Sequence, residues 1–152
     1  MIKVAKNVFH IPLMPRNSIN CYLIEDVIID AGIRSSHKII LKAVQQYRIS
    51  THALTHAHAD HQGSSKTICE ALKIPLWCSM LEKPQTETGN ATKENPFQNH
   101  IITKFQMAFW AGEGYTVSKV IKEGDEVGGF KVIETPGHSS GHIHFFEKMT
   151  AY

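Results

Sequence analysis

Short apolar runs separated by turn residues dominate the first third of the chain and predict strands. Residues 4–13 mix β-branched and aromatic side chains, and the apolar runs at 21–24 and 27–29 flank the polar pair Glu25 and Asp26. Two such runs around a polar dipeptide are typical of a tight β-hairpin. We therefore expect the chain to begin as an antiparallel sheet, with the second run ending at residues 30–32.

Apolar residues at helical spacing then alternate with further short strands. A helix is predicted from Ser35 or Ser36 to residue 48, because either serine can act as its N-cap. Ser64 or Ser65 can cap a second helix, and buried strands are predicted at 52–55 and 74–78. The apolar positions that fall on one face of the first helix are Ile39, Ile40, Ala43, Val44 and Tyr47, and those expected to face inward in the second are Ile68, Ala71 and Leu72. The order strand, helix, strand, helix, strand favours an α/β layered fold.

The remaining segments are less periodic. Residues 81–98 are polar and contain two prolines and a glycine, which favours a long loop or partial lid near the site. A helix is predicted over residues 101–109. Strands are predicted at 117–121 and 130–133 around a turn at 124–129, and a last strand at 141–146.

Length, composition and charge limit the number of domains, the kinds of partner and the expected compartment. The 152 residues fit one domain, 1–152, and 42% of them are hydrophobic. The net charge of +2 is too weak to indicate nucleic acid or an anionic membrane surface as a partner. No signal core or bilayer-length apolar run is visible, and the three cysteines lack zinc spacing and lie among apolar residues. Buried free thiols suit a reducing compartment, so the expected location is cytoplasmic.

A cluster of potential metal ligands follows the strand predicted at 52–55. Thr55-His56-Ala57-His58-Ala59-Asp60-His61 places three imidazoles and a carboxylate within six residues. His56 and His58 project to the same side of an extended segment, so they can hold one metal ion while Asp60 and His61 hold a second. Two ions about 3.5–4 Å apart can share a hydroxide that is nucleophilic at neutral pH. A histidine-rich loop without metal is the alternative, but this order of residues favours a metal site.

A second histidine segment lies near the end of the chain. Residues 135–142 are Thr-Pro-Gly-His-Ser-Ser-Gly-His. Pro136 and Gly137 favour a sharp turn that can aim His138 inward, as a third ligand of the first ion.

Together the two segments resemble the metallo-β-lactamase superfamily of metal-dependent hydrolases. The resemblance extends over residues 4–146 and rests on His-x-His-x-Asp-His and on Thr-Pro-Gly-His with a second Gly-His. It implies a four-layer αββα sandwich of two similar halves. It also implies His56, His58 and His138 as ligands of the first metal and Asp60 and His61 as ligands of the second. Asp60 would in addition be catalytic, because it would orient the attacking hydroxide.

The resemblance further implies supporting roles for two residues. Asp30, after an apolar strand, would orient a ligand imidazole from behind. The residues alone leave open a second interpretation, in which Asp30 bonds its own backbone in a turn. His142 would lie outside the metal shell in a structural role. The other five histidines are expected on the surface or satisfied in the core.

The chain departs from the family pattern in two places. Ser140 stands where many relatives have proline, and the pattern needs a later bridging aspartate and a final histidine after residue 146, which this chain lacks. We therefore expect a C-terminally truncated domain with an incomplete second half, whose first metal position is the better preserved. An exposed apolar sheet edge would favour a homo-oligomer.

The leading hypothesis is a hydrolase in which a metal-bound hydroxide attacks the carbonyl of a small ester, lactone, thioester or amide. One or two Zn²⁺ ions per chain are expected, with Fe or Mn as alternatives. A non-catalytic metal-binding remnant that needs a partner chain is the second hypothesis. A mononuclear iron sulfur dioxygenase is the third, and a nuclease is disfavoured because no basic track is evident.

Overall fold

The structure, a computed structural model, describes residues 1–90 and 100–147. These residues form ten strands, five α-helices and one 3₁₀ helix, Pro15–Asn17. The strands are β1 (Ile2–Ala5), β2 (Val8–Pro12), β3 (Asn20–Ile24), β4 (Val27–Ile29), β5 (Thr51–Ala53), β6 (Leu76–Ser79), β7 (Val117–Ile121), β8 (Glu126–Val127), β9 (Phe130–Glu134) and β10 (Ile143–Phe146). The helices are α1 (His37–Val44), α2 (Ala59–Gln62), α3 (Ser65–Leu72), α4 (Lys83–Thr88) and α5 (Ile101–Trp110).

Seven strands form one mixed sheet in the sequential order β1 to β7. The strands β1 to β4 pair antiparallel, which confirms the predicted hairpin with Leu23 opposite Ile28. The strands β4 to β7 pair parallel, and helices connect β4 to β5 and β5 to β6. The carboxyl ends of β4, β5 and β6 therefore lie along one edge of the sheet, where open α/β sheets place their sites.

Each face of this sheet packs against a different layer. Leu23 and Ile28 lie in a core shared with α1 and α3, represented by Ile40 and Ile68, and all four side chains are buried. On the opposite face, the neighbouring residues of the same strands meet the second sheet, which is antiparallel with the order β10-β9-β8. This second core contains Ile24, Val27, Ile29, Ala53, Ile121, Val127, Val132 and Ile143. The alternation along each strand thus separates a helix layer from a sheet layer.

The structure differs from the predicted elements in several details. The first helix ends at Val44 rather than near residue 48, because the backbone tightens and the Tyr47 N–H donates to the Val44 carbonyl. In the second helix Cys69, rather than Ala71, is buried beside Ile68. The turn predicted at 124–129 contains the short strand β8.

The segment predicted as a loop at 81–98 contains a helix, α4. Pro84 lies in its first turn, and Gly89 ends it with a φ of 70°. Both signals are present in the sequence, since proline at a helix start and glycine just past its end are common boundaries. Residues 91–99 lie outside the described part of the chain, so the proposed lid is described only up to Asn90.

Candidate metal centre

The first histidine segment runs from the end of β5 to the start of α2. His58 has extended backbone angles, with φ −69° and ψ 154°, immediately before the helix. His56 and His58 are therefore on the same side of a nearly extended chain, as their spacing predicts. Asp60 and His61 lie in the first turn of α2, where the chain has changed direction.

Three imidazoles converge at one point. His56 Nε2 lies 3.1 Å from His58 Nδ1, and His58 Nδ1 lies 3.1 Å from His138 Nε2. The ligating atoms of His56, His58 and His138 all lie within 4.8 Å of one another, and among the described residues they are the group identified as able to hold a metal ion. His56 is buried, whereas His138 is exposed, so the cluster opens to solvent on one side.

A hydrogen-bonded chain fixes the orientation of His56 from behind. The Thr55 hydroxyl donates to Asp30 Oδ2 over 2.9 Å, so its oxygen is left to accept from His56 Nδ1–H at 3.0 Å. The Nε2 atom of His56 therefore carries the lone pair that faces the other two imidazoles. The Thr55 amide donates to Asp30 Oδ1 over 2.8 Å, which holds the start of the segment in place.

Asp30 also contacts a second residue of the segment. His61 Nδ1 lies 2.8 Å from Asp30 Oδ2, and its Nε2 lies 3.7 Å from Asp60 Oδ2. A proton on Nδ1 leaves the Nε2 lone pair of His61 facing Asp60, which is the arrangement a metal ligand needs. Asp30 has a left-handed φ of 59°. The hydrogen bonds that its carboxylate makes in the structure go to Thr55 and His61, which is the geometry of the orienting interpretation.

His142 lies beside the cluster, and a hydroxyl binds one of its nitrogens. Its ring centroid is 4.9 Å from that of His56 and 5.9 Å from that of His138. His142 Nδ1 lies 2.9 Å from the hydroxyl oxygen of Thr135. The structure thus brings all seven predicted site residues to one edge of the sheet, with His142 outside the three-imidazole group.

The electrostatics favour neutral imidazoles at the centre of the cluster. Burial, followed by the neighbouring imidazole of His61, lowers the pKa of His56 far below its ordinary value. Burial and His138 lower the pKa of His58 in the same way. Burial opposes the charge of His61, but the Asp30 carboxylate overcomes it and raises the pKa of this imidazole. Since only neutral imidazole binds a metal, His56 and His58 are in the ligating form at neutral pH.

The structure also reveals a residue that the sequence analysis missed. Glu82 follows β6 and is fully buried, and its carboxylate binds backbone and side-chain groups of both histidine segments. The sequence does contain a signal for Glu82, because this acidic residue follows the buried strand β6, which pairs with β5. The polar, proline-containing composition of residues 81–98 predicts a loop and so does not mark Glu82 as buried.

The family profile described as "Metallo-beta-lactamase superfamily" matches residues 14–150. The chain belongs to this superfamily. The match includes both histidine segments, so the resemblance inferred from the motifs is confirmed at the level of the family.

The superfamily relatives among curated proteins are longer than this chain. YobT of Bacillus subtilis (strain 168) is 29% identical over 140 residues, which are 85% of this chain and 57% of the relative. A hydroxyacylglutathione hydrolase of Halorhodospira halophila is 30% identical over 100 residues, which are 66% of this chain and 29% of that enzyme. The chain therefore spans at most about three fifths of the length of these relatives.

Solved structures confirm the fold. The metallo-β-lactamase GOB-18 from Elizabethkingia meningoseptica matches with a TM-score of 0.74 and 19% identity, over 99% of this chain and 57% of that one. TTHA1623 in a di-iron-bound form matches with a TM-score of 0.70 and 28% identity, over 91% of this chain and 66% of that one. None of the helices in the described ranges combines the length and apolar character needed to cross a membrane.

Proposed function

We propose that this chain forms the metal centre of a hydrolase that acts on a carbonyl group, with zinc as the preferred metal. The observation that carries the proposal is the convergence of His56, His58 and His138, whose neighbouring ring nitrogens are 3.1 Å apart. Three neutral imidazoles with an open fourth position are the ligand set of a catalytic zinc site. A catalytic role agrees with this set better than a structural one, because structural zinc sites are closed by four protein ligands.

Two of the three nitrogen–nitrogen separations are close to those around an ion of this size, and the His56 and His138 nitrogens lie within 4.8 Å of each other. Zinc binds imidazole nitrogen at about 2.0–2.1 Å, so two ligands of a tetrahedral site lie about 3.3 Å apart. The observed 3.1 Å contacts lie within a few tenths of an ångström of that separation. The Thr55 hydroxyl holds the ring orientation of His56, which reduces the rearrangement that binding requires.

The second position is less complete in the described part of the chain. It would depend on Asp60 and on His61 Nε2, which lie 3.7 Å apart and are both partly exposed. The raised pKa of His61 adds a cost, because the imidazole must lose its proton before it can bind an ion. We therefore expect the first position to hold its ion more tightly.

A divalent ion would lower the pKa of a bound water from 15.7 to about 7 and would polarise the substrate carbonyl. The chain's own residues supply the rest. Asp60, which is partly exposed beside His61 Nε2, can accept a hydrogen bond from a water and so orient it for attack. The exposed position of His138 leaves room for a small substrate. A thioester is the first substrate to test, because one relative is named a hydroxyacylglutathione hydrolase.

The test measures metal binding and turnover in the same preparation. Zinc affinity is determined by competition with a chromophoric chelator, and hydrolysis is assayed on a glutathione thioester, a lactone, a phenyl ester and a β-lactam. We expect His138→Ala to weaken zinc binding and Asp60→Asn to abolish turnover while the first ion stays bound. Zinc bound by all three imidazoles without turnover on any substrate would leave a non-catalytic metal-binding domain.

Iron is the second metal to test. The related structure in a di-iron-bound form is 28% identical to this chain, and imidazole with carboxylate also suits iron. Loading the protein with Fe²⁺ and with Zn²⁺ in parallel, and comparing both affinity and turnover, would decide between the two metals.

A further inference from the structure

One buried carboxylate joins the two histidine segments. Glu82 is fully buried, three residues after the end of β6. Since a carboxylate is rarely buried without partners, its surroundings indicate what it does.

The partners of Glu82 come from both segments. Oε2 accepts from the backbone N–H of Ala57 at 2.8 Å, and Ala57 lies between His56 and His58. Oε1 accepts from the Ser139 hydroxyl at 2.6 Å and from the Gly141 N–H at 3.0 Å. Ser139 directly follows His138, so each carboxylate oxygen binds a different histidine segment.

A further hydrogen bond and close packing hold the same residues together. The Ser79 hydroxyl donates to the Gly141 carbonyl over 2.6 Å. A Cβ at Gly141 would lie 2.6 Å from Ser79 Oγ and 2.8 Å from Glu82 Cγ, so only glycine fits between them. The turn that carries His138 is therefore fixed against the end of β6 by two side chains.

We propose that Glu82 is a positioning residue that holds His56 and His58 on one segment and His138 on the other at ligating distance before an ion binds. This inference rests on the proposed metal centre. The two segments are 80 residues apart, and each is a loop whose own backbone offers little restraint. If the fraction of molecules with all three imidazoles in register falls, the apparent affinity for metal falls in proportion.

The test uses Glu82→Gln in the full chain. Glutamine keeps the shape of glutamate, but its NH₂ group replaces one acceptor oxygen, so at least one segment loses its hydrogen bonds. We expect the dissociation constant for zinc to rise at least about tenfold, as for other partners that orient metal ligands. Ser139→Ala removes one of the three donors and should give a smaller increase. The matched control is Glu87→Gln, because Glu87 lies on the helix that begins directly after Glu82 and its carboxylate accepts from the Val117 amide rather than from a histidine segment.

Two further measurements separate positioning from general stability. The visible spectrum of the Co²⁺-loaded protein reports ligand geometry, and we expect it to change in Glu82→Gln and not in Glu87→Gln. Amide hydrogen exchange in the metal-free protein should accelerate at Ala57 and Gly141 in Glu82→Gln. A change in melting temperature with unaltered zinc affinity, spectrum and local exchange would overturn the positioning role.

The outcomes for the two proposals are distinguishable. If the unmutated protein does not bind zinc, the proposed metal centre fails, and the exchange measurement still decides whether Glu82 fixes the two segments. If the unmutated protein binds zinc and Glu82→Gln binds it equally well, the metal centre stands and the positioning role is wrong.

Discussion

Replacing Asp30 by asparagine separates charge from shape at the residue that supports two proposed ligands. Asp30 is 6% exposed and has a φ of 59°. Asparagine tolerates this left-handed conformation about as well as aspartate, so the backbone should not change. The substitution therefore removes a carboxylate oxygen and its charge while it keeps the volume of the side chain.

The size of the expected loss in stability follows from the hydrogen bonds that the Asp30 carboxylate accepts. An asparagine oxygen at the Oδ1 position keeps the bond from the Thr55 amide, now 2.8 Å. The NH₂ group then faces the Thr55 hydroxyl and His61 Nδ1, which lie 2.9 and 2.8 Å from Oδ2. Loss of a hydrogen bond to a charged group costs about 1.5–3 kcal/mol. We expect the free energy of unfolding of the metal-free protein to fall by about that amount.

The substitution should also change which ring nitrogen of His61 carries the proton. To pair with an NH₂ group, Nδ1 must accept, which moves the proton to Nε2 and removes the lone pair that faces Asp60. Metal affinity at the second position should then fall about 10- to 100-fold. The tautomer can be read from ¹⁵N chemical shifts of the histidine side chains, and affinity from zinc competition.

The pH dependence of this effect has a defined sign. Asp30 raises the pKa of His61 in the folded protein above its unfolded value, so the associated stability is complete below the unfolded pKa and is lost as pH rises through the folded pKa. The destabilisation by Asp30→Asn should therefore be larger at about pH 6 than at about pH 8.5. Urea unfolding at both values measures it, with exposed Asp26→Asn as the control. An unchanged His61 tautomer together with a loss below about 0.5 kcal/mol would refute the reasoning.

Three further predictions concern the cluster and its support. His58→Ala should raise the zinc dissociation constant more than about 100-fold, whereas His142→Ala should change it far less; equal effects would place His142 among the ligands. Burial lowers the pKa of His52, so the metal-free protein should lose stability as pH falls below about 6.5, by up to about 1.4 kcal/mol per pH unit for each proton taken up; a flat urea-midpoint profile would contradict this. Ile143→Ala and Leu23→Ala should each lower the free energy of unfolding by about 2–5 kcal/mol, as measured by calorimetry. Only Ile143→Ala should also weaken zinc binding, and equal zinc affinities of the two variants would contradict this prediction.

The local parts of the fold could be predicted from the sequence because their signals are local. The hairpin of β3 and β4 has its polar turn between two apolar runs, and the first histidine segment has its proposed ligands within six residues. The position of His138 depends instead on how the second sheet packs on the first. Periodicity could not give that placement, and the prediction for His138 rested on the turn at Pro136 and Gly137 together with the family resemblance.

Glu82 shows the limit of the same reasoning. Its partners Ala57 and Gly141 lie 25 and 59 residues away along the chain, so no local pattern marks the contacts. The parallel pairing of β5 with β6 creates the proximity, because it places the residues after both strands at one edge. A search for polar residues after every predicted parallel strand would have found Glu82 together with Asp30.

The two cores of the protein should differ in their importance for the site, although both stabilise the fold. The helix-side core around Leu23 fixes the strands of the first sheet. Among the described residues, those named in this core do not belong to the second sheet. The inter-sheet core holds Ile143 and Val132 against Ala53, and the Ile143 N–H donates to the Thr55 carbonyl over 3.0 Å. That bond joins the strand following His138 to the residue preceding His56. A shift between the two sheets would therefore alter the distance between His138 and the first two imidazoles. Because ligand geometry tolerates only a few tenths of an ångström, the packing of β9 and β10 belongs to the metal centre as much as the histidines do.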